Sequence, residues 1–207
     1  MQLEWRIAEH SILIRSMTVP AFDMRGFLPP FVGADGTTRD RSPYVTKASE
    51  MVAAMATSPA RENLLFGLLK YRRMLGAAGY TDGIQFVDGS FVENVELREN
   101  RDPGDIDVFS FLVRPQAFRV DPAKWAAVGF PNWVLYLMNR EKNKQRFRID
   151  SYGIAVDQHG ALGIINETIY WYSLFSHKRL THDWKGFLCV PLNLADDEEA
   201  LSALIGR

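Results

Sequence analysis

The 207-residue chain is poor in cysteine: Cys189 stands alone, so no disulfide can form within the chain and a cysteine-rich zinc site is excluded. A lone thiol suits a reducing compartment. An excess of either charge is also missing. The 24 Lys and Arg against 25 Asp and Glu leave a formal charge of −1, so no global field draws the protein to nucleic acid or anionic lipid. Any phosphate recognition must therefore be local. No apolar run approaches the roughly 18 residues of a membrane-spanning helix. Glu4, Arg6, Glu9 and His10 interrupt the N-terminal apolar residues, which does not read as a signal peptide. The expectation is a cytoplasmic protein with no membrane partner. The Walker Gly-Lys-Ser/Thr, H-E-x-x-H and G-x-S-x-G patterns are absent as well, which removes the signatures of a P-loop, a zincin and an α/β-hydrolase.

What is present is one ordinary core, with 47% hydrophobic residues. We expect a single domain over residues 19–207 after an N-terminal extension of residues 1–18, in which Ser11–Ile14 is a candidate strand. From Val19 to Arg41, Pro and Gly punctuate a loop whose Phe22, Phe27, Leu28 and Phe31 predict packing rather than a free linker. Helical spacing predicts a short helix over Thr46–Ala56 and a longer one from Pro59 to about Leu75, with Ser58 as N-cap and Gly76 as a stop. In the longer helix Leu64, Leu65, Leu68 and Leu69 form an apolar face beside a basic one at Arg72 and Arg73. Strands are predicted at Ile84–Val87, Ile106–Val113 and Phe147–Val156, and another at Gly186–Leu192. Asp121-Pro122 signals a helix start. Further helices are expected over Asn132 to about Lys142, Glu167–Ser176 and Asp197–Leu204. This order of elements predicts an α+β (mixed α/β) fold, a mixed sheet flanked by helices.

The stretch Val87–Leu112, VDGSFVENVELRENRDPGDIDVFSFL, carries the chemistry. Asp105-Ile106-Asp107 opens an apolar strand, and residues two apart on a strand share a face about 6–7 Å apart. Two carboxylates so placed can embrace a divalent cation, or one of them can bridge two ions. Gly89-Ser90 adds a turn where backbone can approach a phosphate and a hydroxyl can donate to it. Asp150 sits on the polar side of the Phe147–Val156 strand, where a third carboxylate could complete a metal site or act as general base. The plain alternatives are a Pro-Gly-Asp turn, an ion pair of Asp150 with Arg146 or Arg148, and a Ser90 that satisfies its own turn.

Gly89-Ser90, Asp105-Ile106-Asp107 and a later strand aspartate resemble the signature of the polymerase-beta-type nucleotidyltransferase superfamily. Phe22–Pro30 (FDMRGFLPP), the strings GSFV and PGDIDV, and Lys185-Gly186-Phe187 extend the likeness to an uncharacterised bacterial branch, over roughly Pro20–Leu192. The resemblance implies a nucleotidyltransferase-like sheet, two Mg²⁺ ions (or Mn²⁺), and transfer of a nucleotidyl group from a nucleoside triphosphate such as ATP. The acceptor it permits is a protein, a tRNA or other RNA, or a small molecule, in settings that include toxin–antitoxin and phage-defence systems. Under it Asp105 and Asp107 are metal ligands, Asp150 the third ligand or base, and Gly89 with Ser90 the triphosphate cradle. Fourteen residues separate Ser90 from Asp105, longer than in many members, which implies a remodelled phosphate loop.

Lys178, Arg179 and Lys185 form a candidate phosphate patch, with Lys185 the expected nucleotide contact and Arg61, Arg72 and Arg73 a weaker set. His177 and His182 read as surface histidines, Tyr170–Phe175 as a core stripe and Cys189 as a buried small hydrophobe. Two other readings remain: a catalytically inactive nucleotidyltransferase-fold binding or regulatory protein, and a two-metal nuclease. The nuclease would want a lysine close behind a strand acid, and neither Asp107 nor Asp150 is followed by one.

Overall fold

The computed structural model describes residues 18–207, so the candidate strand at Ser11–Ile14 and the extension before Thr18 lie outside the described residues. After the loop that begins at Thr18 come β1 (Tyr44–Val45), α1 (Ala48–Met55), α2 (Pro59–Ala77) and β2 (Gly83–Asp88). A 3₁₀ turn (Ser90–Val92), α3 (Val95–Glu99) and β3 (Ile106–Leu112) follow. Next are α4 (Gln116–Arg119), α5 (Pro122–Lys124) and α6 (Phe130–Asn132), the last two continued by π-helical turns at Trp125–Gly129 and Trp133–Leu137. The chain closes with α7 (Arg140–Phe147), β4 (Ile149–Ala155), α8 (Ala161–Phe175), β5 (Leu188–Pro191) and α9 (Leu194–Ile205). Among the described residues no helix is long and apolar enough to cross a membrane.

The strands make one open mixed sheet in the order β1-β5-β2-β3-β4, antiparallel at β5-β2 and β2-β3 and parallel at β1-β5 and β3-β4. Alternation along each strand gives the sheet two covered faces. Val87, Val108, Ile149 and Leu188 join the larger cluster with Leu64, Leu65 and Leu68 of α2 and Ala200 of α9. Phe86, Phe109 and Cys189 join a smaller aromatic cluster with Trp171 and Phe175 of α8. The Trp171 ring stacks on Phe109 with centroids 4.3 Å apart, so the middle of α8's stripe is core, while Tyr170 stays exposed. Each fully buried leucine on α2 contributes about 1.5–3 kcal/mol, which explains why this helix needs little intrinsic propensity.

Several boundaries differ from expectation for local reasons. Ser58 does cap α2, accepting from Arg61 N at 3.3 Å. Gly76, though, lies inside the helix. A Cβ there would stand 2.5 Å from Leu194 Cδ2, so the glycine serves close packing against α9, and the helix stops before Gly79 at φ +88°. The helix expected over Asn132–Lys142 is broken at Met138, because the Asn139 side chain accepts from Lys142 N and starts α7 afresh. Phe147 belongs to α7 rather than to the strand, since Arg148 takes the left-handed conformation at φ 58°. The aromatic helix starts six residues early, at Ala161, behind Gly160.

Arg61 and Arg72 are not a phosphate patch; both are buried. Arg72 donates from Nε to Asp197 Oδ1 (2.8 Å), from Nη1 to Gln85 Oε1 (2.9 Å) and from Nη2 to the Pro191 carbonyl (2.7 Å), while Gln85 Nε2 donates to Ser110 Oγ (2.9 Å). One buried polar chain thus joins α9, α2, β2 and β3. Removing Asp197 alone leaves an unpaired buried guanidinium, so Asp197→Ala should cost about 3–5 kcal/mol, read as a lowered denaturant midpoint, and the double change Arg72→Met/Asp197→Leu should cost less. Burial also pushes the Cys189 thiol up to about 12. At pH 8 the native protein should therefore leave a disulfide-exchange reagent unreacted and consume one equivalent only after denaturation.

Candidate active site

Register places the acidic residues. Phe86, Phe109 and Tyr152 are direct neighbours across β2, β3 and β4, and two residues along the same strands Asp88, Asp107 and Asp150 are neighbours in turn. Both rows lie on the α8 face, about 4.8 Å from strand to strand, so the aromatic row ends in an acidic one. Asp105, just before β3, adds a fourth carboxylate. Asp88 was not among the sequence-predicted residues. Its signal was its place as the last strand residue before Gly89-Ser90.

The turn after β2 depends on glycine. Gly89 has φ 89° and ψ −164°, a region almost closed to other residues, and a Cβ there would lie 3.0 Å from Asp107 Oδ2. Behind the turn stands buried Arg61, donating from Nη1 to the Phe91 carbonyl (2.7 Å) and from Nη2 to the Glu93 carbonyl (2.5 Å), and paired with Glu96 at 2.6 Å. From the other side comes Lys185, on the segment entering β5. Its buried Nζ lies 2.9 Å from Asp88 and 3.1 Å from Glu93. Buried Asp88 Oδ1 is thus met by a positive charge at ion-pair distance. Lys185, expected as a nucleotide contact, has its ammonium committed to these carboxylates and props the Gly89-Ser90 turn.

The electrostatics follow from this crowding. Burial pushes the Asp88 carboxyl up to about 6, against the pull of Lys185 and with the repulsion of Asp107 added. Asp107 is raised by burial first and then by Asp105, with Asp150 contributing and Arg179 opposing. Asp150 behaves oppositely. Arg140 donates from Nε and Nη2 at 2.7 and 2.8 Å, and this bidentate pair holds the carboxyl below its ordinary range despite burial. Its ion-pair partner is thus Arg140, one turn and more away on α7, and neither Arg146 nor Arg148. Asp105 pairs with Lys144 Nζ at 2.6 Å, and Asp107 lies 3.6 Å from Arg179 Nη2.

A cleft of about 680 Å³ opens over this end of the sheet. It gathers Asp88, Gly89, Ser90, Asp105, Asp107 and Lys185, together with Lys178, Arg179 and the exposed His177. Asp150 is in register beside Asp107 but does not line the cleft. Among the described residues no three acidic or histidine side chains converge as a ready-made cation cage. The donor set nevertheless suits a hard divalent cation: Asp105 and Asp107 offer carboxylate oxygens whose charges repel each other, and the missing Cβ of Gly89 leaves room against Asp107 Oδ2. Mg²⁺ or Mn²⁺ would be held by these two, with Asp150 as a further acidic charge.

A family model matches residues 20–191, from the N-terminal loop through the last residue of β5. The chain belongs to DUF6932, a family of unknown function. The DUF6932 region takes in the whole sheet and every residue of the cleft, and leaves α9 with Asp197 outside it. No curated protein and no solved structure matches the chain.

The glycine gives the site its sharpest single test. Gly89→Ala should lose about 1–3 kcal/mol of stability in chemical denaturation, because a side chain is strained at that φ and presses on Asp107. Wild-type stability in this variant would remove the turn's claimed constraint.

Proposed function

We propose that the chain is a metal-dependent nucleotidyltransferase that moves a nucleotidyl group from a nucleoside triphosphate to a protein, RNA or small-molecule acceptor. The reading rests on the likeness to the polymerase-beta-type superfamily. The observation that carries it is the in-register row Asp88, Asp107 and Asp150, with Asp105 beside it and the Gly89-Ser90 turn against Asp107. The lone thiol suits the cytoplasm as the place of work.

In this scheme the acceptor hydroxyl oxygen attacks the α-phosphorus, its proton passes to solvent, a new O–P bond forms, and pyrophosphate leaves with the electrons of the bond that breaks. Divalent cations, when bound, neutralise the phosphates and polarise the attacked phosphorus. Asp105 and Asp107 hold them, and the Ser90 hydroxyl with the open backbone of Gly89 orients the triphosphate. Asp150 contributes charge rather than base catalysis while Arg140 holds it, since a carboxyl kept below its ordinary range accepts a proton poorly. Lys185 and Arg61 position the turn.

One observation favours the second reading, an inert scaffold that serves as a binding or regulatory partner: Asp105, Asp107 and Asp150 each already face a cation of the chain itself. Incubation with labelled nucleoside triphosphates, Mg²⁺ and cell lysate separates the two. The wild type should transfer label, and Asp105→Asn/Asp107→Asn should reduce transfer by about a hundredfold or more. Equal labelling by both proteins would sink the catalytic assignment, and calorimetry showing no Mg²⁺-dependent triphosphate affinity would favour the scaffold.

A further inference from the structure

Three cations stand around the acidic row, one to each aspartate. Lys144 Nζ is 2.6 Å from Asp105 Oδ2, Arg179 Nη2 is 3.6 Å from Asp107 Oδ2, and Arg140 grips Asp150 at 2.7 and 2.8 Å. Lys144 and Arg140 are one turn apart on α7; Arg179 comes from the loop after α8. These side chains are 58%, 71% and 55% exposed for Lys144, Arg179 and Arg140, whereas the Lys185 strut is 3% exposed. That contrast separates two kinds of cation. Lys185 is held by Asp88, Glu93 and the Gly89 carbonyl, and moving it would unpair buried charge. The single contacts of Lys144 and Arg179, whose cationic ends stand in water, are weak beside the charge of a divalent cation, so such a cation can take their carboxylates, whereas the bidentate Arg140–Asp150 pair is of the stronger kind and is kept.

A displaced lysine or arginine stays tethered at the rim. Arg140 is the exception, fixed by its two bonds to Asp150 and by the Tyr152 ring, whose centroid lies 4.3 Å away. Phosphate oxygens are what ammonium and guanidinium groups bind best. Cation and polyphosphate arrive with opposite charge, so exchange leaves the cleft close to neutral at each stage.

We propose that Lys144 and Arg179 are exchange groups: they neutralise Asp105 and Asp107 in the ligand-free protein and pass to the nucleotide's polyphosphate when a divalent cation occupies those two aspartates, while Arg140 stays on Asp150. This rests on the reading of the aspartates as metal ligands. It assigns polyphosphate binding to Lys144, which lies 37 residues beyond Asp107, and gives the facing pairs a purpose other than inertness.

The test uses the full chain and two titrations. Mn²⁺ alone is followed by the paramagnetic signal of the free ion, then ATP is titrated at saturating Mn²⁺. Lys144→Ala and Arg179→Ala should each bind Mn²⁺ about threefold more tightly, having lost a competitor, and ATP about tenfold more weakly, having lost a phosphate contact. Lys144→Arg should stay near wild type in both. Lys142→Ala, on the same helix but reaching the Leu135 carbonyl and the Tyr136 ring, should change neither. Thermal melts of all variants should superpose, since these side chains are exposed. Wild-type Mn²⁺ uptake with variants that weaken it, or that leave ATP affinity unchanged, overturns the exchange while sparing the metal reading. A wild type that takes up no Mn²⁺ overturns both.

Discussion

Like charges brought into register on adjacent strands are the constraint around which this molecule is arranged. Asp88, Asp107 and Asp150 stand side by side on one face of the sheet, partly withdrawn from water, with Asp105 close behind. Burial first, and then repulsion from Asp105 and Asp150, raises the proton affinity of Asp107, and nearby positive charge opposes both. The fold delivers that charge from several directions: Lys185 ahead of β5, Lys144 and Arg140 from α7, Arg179 from the loop after α8. The short α7 exists where it does because Asn139 caps it and Arg148 ends it, and those two stops aim Arg140 and Lys144 at the row.

The elements governed by local chemistry were legible in the sequence. Ser58-Pro59 announced α2 and the β-branched run after Asp105 announced β3, while the closing helix, expected from Asp197, begins three residues earlier at Leu194 behind Asn193. The Gly89-Ser90 turn and the Asp-x-Asp pair could be read because each is contiguous. What escaped depends on partners distant in sequence. Arg72 sits on α2 at a position that reads as basic surface, and becomes interior only because Gln85, Pro191 and Asp197 converge on it. Lys185 looked like a free phosphate contact, since nothing in its own neighbourhood reveals Asp88 and Glu93 nearly a hundred residues earlier. Arg140 and Lys144, one turn apart on α7, were not singled out from the sequence as one basic face. Their targets could not be read, because the turn that breaks the chain at Met138 carries no strong sequence signal.

Exposure sorts the positive charges into two classes with different physical duties. Arg61, Arg72 and Lys185 are buried and each answers several acceptors, so the loss of any one partner strands a charge in the interior. They fix geometry: Arg61 and Lys185 clamp the Gly89-Ser90 turn from opposite sides, and Arg72 ties α9 and α2 to the sheet. Lys144, Arg140 and Arg179 are more than half exposed and each answers one aspartate. Lys144 and Arg179 each make a single contact of the readily reversed kind, while Arg140 holds Asp150 through two bonds. Burying those cations as Lys185 is buried would add a desolvation cost of its own. Leaving them in water beside the acidic row balances the carboxylates without that cost, and on the proposed reading it leaves Asp105 and Asp107 free to exchange partners.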